Sequence, residues 1–135
     1  YEGVTFLGDN SENKIISIAL GSTHAIALTE NGEVYTWGSN DNGQLGINLD
    51  NFNGIRTTPR RVLAGEYDGT AYIGDNPDNR IVKVSAGSAH CLALAADGTV
   101  FSWGDDQEGQ LGLSTSTDRI IPAKVTDGAY GGTLY

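Results

Sequence analysis

At 135 residues, 39% hydrophobic and 19% charged, the chain has the size and composition of about one globular domain. A formal charge of −9 argues against direct nucleic-acid binding and against anionic membrane surfaces, and no apolar run is long enough to span a bilayer. A single cysteine, Cys91, leaves no intrachain disulfide, and with two distant histidines it cannot supply a zinc set.

Taken in chain order, the elements read as short strands with glycine punctuation. "KIISIAL" (14–20) is a first strand candidate. "HAIALT" (24–29) follows, with His24, Ile26 and Leu28 on one face and Ala25 and Ala27 on the other. Asn31-Gly32 is a dipeptide favoured in two-residue hairpins, and "EVYTW" returns from it with Tyr35 and Trp37 opposite Val34 and Thr36. "WGSNDNGQLG" comes next, then "TPRRVL" as a fourth strand. The same order recurs in "RIVKVSA", "HCLALA", Asp97-Gly98, "TVFSW", "WGDDQEGQLG" and "IPAKVT". Nothing shows helical periodicity with caps. Nineteen glycines, about twice the usual share, fit many tight turns.

Sliding the chain by 66 residues aligns 1–48 with 67–114, and 20 of the 48 positions are identical. A fixed period of this kind governs the reading of the whole chain. The first copy carries three extra residues after its Gly-Gln-Leu-Gly, and "AYGGTLY" at the end resembles "EYDGTAY" at 66–72. The expected organisation is a repeat over 1–66, a second over 67–129, and the start of a third over 130–135. The chain has no methionine and no visible signal peptide, so it reads as a segment of a longer array. Four short strands per copy predict an all-β fold of propeller blades, each of four antiparallel strands, with the small residues of "SAGSAHCLALAA" near the axis.

At "GSTHAIALTENGEVYTWGSNDNGQLG" and its partner 66 residues on, the chain resembles the regulator of chromosome condensation repeat family. The matching positions are Gly21, His24, Ala27, Leu28, Gly32, Val34, Trp37, Gly38 and Gly43 to Gly46, twice in register. WD repeats want Trp-Asp where this chain has Trp-Gly, and kelch repeats lack the Gly-Gln-Leu-Gly signature. The resemblance implies two blades of a seven-bladed ring. It also implies functions exercised through protein surfaces, among them nucleotide exchange on a small GTPase, ubiquitin-ligase scaffolding and β-lactamase inhibition. Two departures stand out: "GEYDGTAYIGDNPDN" carries no family motif, and two copies are too few to close a ring.

The residues sort by whether they repeat. His24 and His90, Trp37 and Trp103, and the quartets Gly43, Gln44, Leu45, Gly46 and Gly109, Gln110, Leu111, Gly112 are expected to be structural. Cys91 aligns with Ala25 and reads as a small buried hydrophobe. Recognition is expected where the copies differ: Asn48, Asp50 and Phe52 in the insertion, and Asp105, Asp106 and Glu108 in the second loop. The acidic loops do not fit calcium-loop spacing, no phosphate-binding glycine pattern opens a helix, and Arg56, Arg60 and Arg61 read as a solvated loop. The expectation is a protein-binding scaffold, not an enzyme, with no cofactor or metal, no nucleic acid and no membrane partner. It is completed by further blades or by self-association. The alternatives are part of a nucleotide-exchange regulator or a structural repeat of a large surface protein. Low lysine and Asn-, Gly- and Thr-rich loops lean toward a prokaryotic or secreted setting.

Overall fold

A computed structural model describes residues 6–48, 54–128 and 130, so Asp50 and Phe52 lie outside the described residues. Eight strands form, and no helix is found among the described residues: β1 (Ile15–Leu20), β2 (His24–Thr29), β3 (Val34–Gly38), β4 (Arg56–Arg61), β5 (Ile81–Ala86), β6 (His90–Ala95), β7 (Val100–Gly104) and β8 (Arg119–Lys124). They make two antiparallel four-stranded sheets, ordered β1-β2-β3-β4 and β5-β6-β7-β8. These are two propeller blades in sequence order.

Directly paired residues of an antiparallel sheet share a face, so the register defines what each blade presents. In the first blade, Leu20, Ala25 and Trp37 form one cross-strand row, and Ile18, Ala27, Tyr35 and Arg61 the next. On its opposite face lie Ala19 with Ile26 and Thr36, then Leu28 with Val34. The second blade repeats this: Ala86, Cys91 and Trp103, then Val84, Ala93, Phe101 and Lys124, with Leu92 and Leu94 behind.

The core lies between the blades. Ile26, Leu28, Val34 and Val62 from the first meet Val84, Cys91, Ala93, Phe101 and Trp103 from the second. Each blade thus has a trailing face, led by Ile26 and Leu28 in the first, and a leading face, led by Trp103 and Phe101 in the second. The sheets come closest where β5 lies against β1 and β2. There the Ser22 N–H donates to the Ser88 carbonyl (3.0 Å) and the two serine hydroxyls meet at 2.9 Å. The innermost place belongs to β1 and β5; the alanine-rich β2 and β6 stand second.

Two local expectations need correction. The β2–β3 connection is not a two-residue hairpin: the Thr29 N–H bonds the Glu33 carbonyl and the Gly32 N–H bonds the Thr29 carbonyl, leaving Glu30, Asn31 and Gly32 in the turn. Only Gly32 (φ +89°) and its counterpart Gly98 (φ +93°) are left-handed there, while Asn31 and Asp97 are not. This is the three-residue hairpin ending in a left-handed glycine. Asn13 and Asn79 pin these turns by accepting the N–H groups of Asn31 (3.0 Å) and Asp97 (2.9 Å).

The arginine cluster, expected in a loop, is β4 itself. Arg60 is exposed, but Arg61 is half-buried, paired with Asp75 and stacked 4.5 Å from the Tyr72 ring centroid. Pro59 in β4 and Pro122 in β8 remove a donor from each outer strand, which discourages edge-to-edge pairing.

Candidate functional site: the blade junction and the rim loops

The repeated motif after β3 builds a closed loop by the same bonds in both copies. The Gln44 side-chain carbonyl accepts the Asn42 N–H (2.8 Å), and Gln110 accepts the Glu108 N–H (2.9 Å). The Leu45 N–H donates to Asn40 Oδ1 (3.0 Å), and the Leu111 N–H to Asp106 Oδ1 (2.9 Å). The Thr36 and Ser102 hydroxyls donate to the carbonyls of Leu45 and Leu111 at 2.7 and 2.8 Å. Leu45 and Leu111 are fully buried, so each loop is bolted to its sheet by an apolar anchor and a polar lock.

This overturns the placement of Asp106. Its carboxylate is fully buried and locks its own loop, with its N–H donating to Asp118 Oδ1 (2.9 Å). Asn40 fills the same slot because either side chain offers the oxygen that the leucine N–H needs. Asp105 also works locally, accepting the Gln107 N–H at 3.1 Å, and is half-buried. Glu108, Gln107 and Asp41 are exposed on the rim. Asn48 is exposed and left-handed (φ +53°), which asparagine tolerates, and its N–H reaches across to the Ile120 carbonyl at 3.2 Å.

The first loop also joins the blades. The Gln44 backbone carbonyl accepts the Trp103 indole N–H (2.9 Å) and faces Cys91 Sγ at 3.4 Å. Gly46 (φ +66°) lies so close to this contact that an added Cβ would stand 3.0 Å from Trp103 Nε1 and 2.8 Å from Val62. Asn42 Nδ2 donates to Asp118 Oδ2 at 3.1 Å, so Asp118 ties the two loops together. The sequence marks Trp103 as structural, but its acceptor is a main-chain group that no side-chain pattern marks.

His24 sits in the same junction. It is buried, its Nε2 lies 3.3 Å from Cys91 Sγ, and its Nδ1 has no hydrogen-bond partner among the described residues. Burial, the largest cause, holds its pKa below the ordinary histidine value, reinforced by the His90 charge and partly offset by a backbone bond at His90. Burial likewise pushes the Cys91 thiol far up, so the sulfur is a protonated packing group. The two histidines lie beneath their turn glycines: a Cβ on Gly21 would overlap the His24 ring, and one on Gly87 the His90 ring. No cluster of three or more metal-binding side chains occurs among the described residues.

Paired sheets, a tryptophan-to-carbonyl joint between them and locked Gly-Gln-Leu-Gly loops define a β-propeller repeat. The sequence profile of the regulator of chromosome condensation (RCC1) repeat matches residues 31–94 and 97–129, and a second profile of that repeat matches 15–44 and 81–110. The chain belongs to the RCC1 repeat family. It is 38% identical over 113 residues to the ultraviolet-B receptor UVR8 of Arabidopsis thaliana, and 37% identical over 115 residues to the probable E3 ubiquitin-protein ligase HERC3 of Homo sapiens. Those alignments cover 84% and 85% of this chain but only 22% and 10% of the relatives, so the shared part is a small portion of each. Among solved structures, yeast RCC1 (Prp20) in its complex with Kap60 superposes with a TM-score of 0.63 at 27% identity, covering 84% of this chain and 25% of that one. Prp20p from Saccharomyces cerevisiae gives a TM-score of 0.65 at 24% identity over 89% of this chain and 27% of that one, a likeness of fold.

Proposed function

We propose that the chain is a binding unit of a propeller scaffold, which recognises a basic protein segment at the rim formed by the β3–β4 and β7–β8 loops. The observation that carries this reading is the division of labour inside those loops. The residues identical in both copies are spent on locking the loop and joining the blades. The outward positions differ: exposed Asp41 and half-buried Asn42 in one copy correspond to exposed Gln107 and Glu108 in the other. With Asp105 and Asp118 beside them, these positions give the rim an acidic character in a chain of net charge −9, suited to a cationic partner and to steered, salt-sensitive association.

The reading is of a surface that binds without making or breaking covalent bonds. His24 and Cys91 face one another buried inside the junction, and the relatives' names span a light receptor and a probable ligase, of which this chain matches only 22% and 10%. That spread supports a scaffold more than any one chemistry.

A lysine-rich peptide titrated against the chain by fluorescence anisotropy tests the rim. The double variant Asp105→Asn/Glu108→Gln is expected to weaken binding several-fold. Glu12→Gln/Asp78→Asn, which removes the same charge elsewhere, is expected to weaken it much less. Equal losses in the two variants mean that net charge alone is being read, and the rim assignment fails.

A further inference from the structure

Building on the rim assignment proposed above, we infer that Asp118 is its positioning residue. By strapping the loops of the two blades together, it makes them one composite site, which a basic protein segment engages on both blades at once. The Asp118 carboxylate spans the junction. Its Oδ2 accepts the side-chain N–H of Asn42 in the first loop (3.1 Å), and its Oδ1 accepts the backbone N–H of Asp106 in the second (2.9 Å). Two further contacts close the same seam. The Asn48 N–H donates to the Ile120 carbonyl at 3.2 Å. Gly43 (φ +77°) lies so close to β8 that an added Cβ would stand 2.8 Å from Ile120 Cγ2 and 2.9 Å from the Arg119 carbonyl. Each loop is also locked within itself, so the strap joins two parts that are already rigid.

The strap is not part of the repeat. Strand register pairs Arg56 with Gly38 and Arg119 with Gly104, so the residue before each outer strand is Ile55 in the first blade and Asp118 in the second. An isoleucine side chain accepts no hydrogen bond. The loop locks recur in both copies, whereas the carboxylate strap belongs to the second alone.

Charge is gathered at the same place. Asp41, next to Asn42, and Glu108, two residues past Asp106, are exposed, with half-buried Asp105 and Asp118 beside them. Asp106 is fully buried, and its Oδ2 has no hydrogen-bond partner among the described residues, which leaves a carboxylate oxygen uncompensated beneath the rim. The nearest cations along the chain, Arg56 and Arg119, are half-buried at the starts of β4 and β8. Acidic groups supplied by both loops and fixed in one piece suit a ligand that engages both, because its second contact forms at the high effective concentration set by its first. Loops already held in place lose little further freedom on binding.

Two peptides test this by fluorescence anisotropy at low ionic strength, where screening is weakest. One carries two lysine pairs joined by a short neutral spacer, and the other has one pair replaced by glutamines. On the parent chain the first is expected to bind more than about tenfold tighter than the second, against about twofold for two loops that act separately. Asp118→Ile, which installs the residue of the first blade, is expected to reduce that ratio to about two. Asp118→Asn removes the same charge but keeps an oxygen for the Asp106 N–H, and is expected to retain most of the ratio. Asn42→Ala cuts the strap from the other loop without changing charge and is expected to act like Asp118→Ile, so the outcome stands even if that variant fails to fold. A ratio near two on the parent overturns the composite site and leaves the rim assignment standing, as does a high ratio that both strap-cutting variants retain. If neither peptide binds the parent, the rim assignment and the role of the strap fall together.

Discussion

Trp37 and Trp103 stand in the same row of the same kind of sheet, each two positions past an aromatic residue and one before a glycine, yet Trp103 is enclosed and Trp37 is half open. The difference is made by what lies across from them. Trp103 has the Gln44 carbonyl to accept its N–H and Val62 and Gly46 beside it. The two blades therefore separate the local content of the repeat from the neighbour's contribution. Strand pairing, the glycine-ended hairpins and the locked loops are the same in both and belong to the repeat. Burial of the tryptophan, of the β1 or β5 side chains and of the glutamine is conferred by the adjoining blade.

That separation can be broken at several points, most severely at the joint. In dilute solution, Trp103→Ala is expected to lose about 3–5 kcal/mol in urea denaturation. Trp37→Ala should lose less than half as much, and equal losses would mean that the neighbour contributes little. Next in size come the loop locks: Asp106→Ala strands the buried Leu111 N–H and is expected to cost about 1–3 kcal/mol, whereas Asp106→Asn, which copies Asn40, leaves the melting temperature close to that of the parent. A similar cost is expected for His24→Ala, with His90→Ala smaller because His90 is only half-buried, as differential scanning calorimetry would resolve.

The smallest effect is a pH dependence at His24. Because its pKa is lowered in the folded state, the unfolded chain takes up the proton first. Stability is complete above the ordinary histidine value of about 6.5 and declines as the pH falls below it. Melting temperatures at successive pH values down to about 5 should show the decline, and His24→Gln should flatten the part of it that His24 causes.

Much of this architecture is written in the sequence because repetition makes it visible. The period, the alternation in "HAIALT" and the order of the strands follow from patterns that both copies obey, while β4 and β8 begin two residues earlier than their patterns suggest. That Trp103 is structural was legible for the same reason, though not which group accepts its N–H. Hairpin type was not: Asn-Gly suits a two-residue turn and equally the last two places of a three-residue one, and only the cross-strand bonds decide. Asp106 was misplaced because a difference between copies was taken as freedom from structure. Asn and Asp share the oxygen that matters, so the position varies in name while its hydrogen bond stays fixed. Asn13 and Asn79 were identical in both copies, a signal that could have found their role in pinning the turns.

The acceptor at the blade joint is a backbone carbonyl, and that has a bearing on how such chains grow. A socket made of main chain travels with any copy of the repeat that keeps its Gly-Gln-Leu-Gly loop. Duplicating a blade in frame therefore supplies both plug and socket at once, and the neighbours on either side need no matching substitution to receive it.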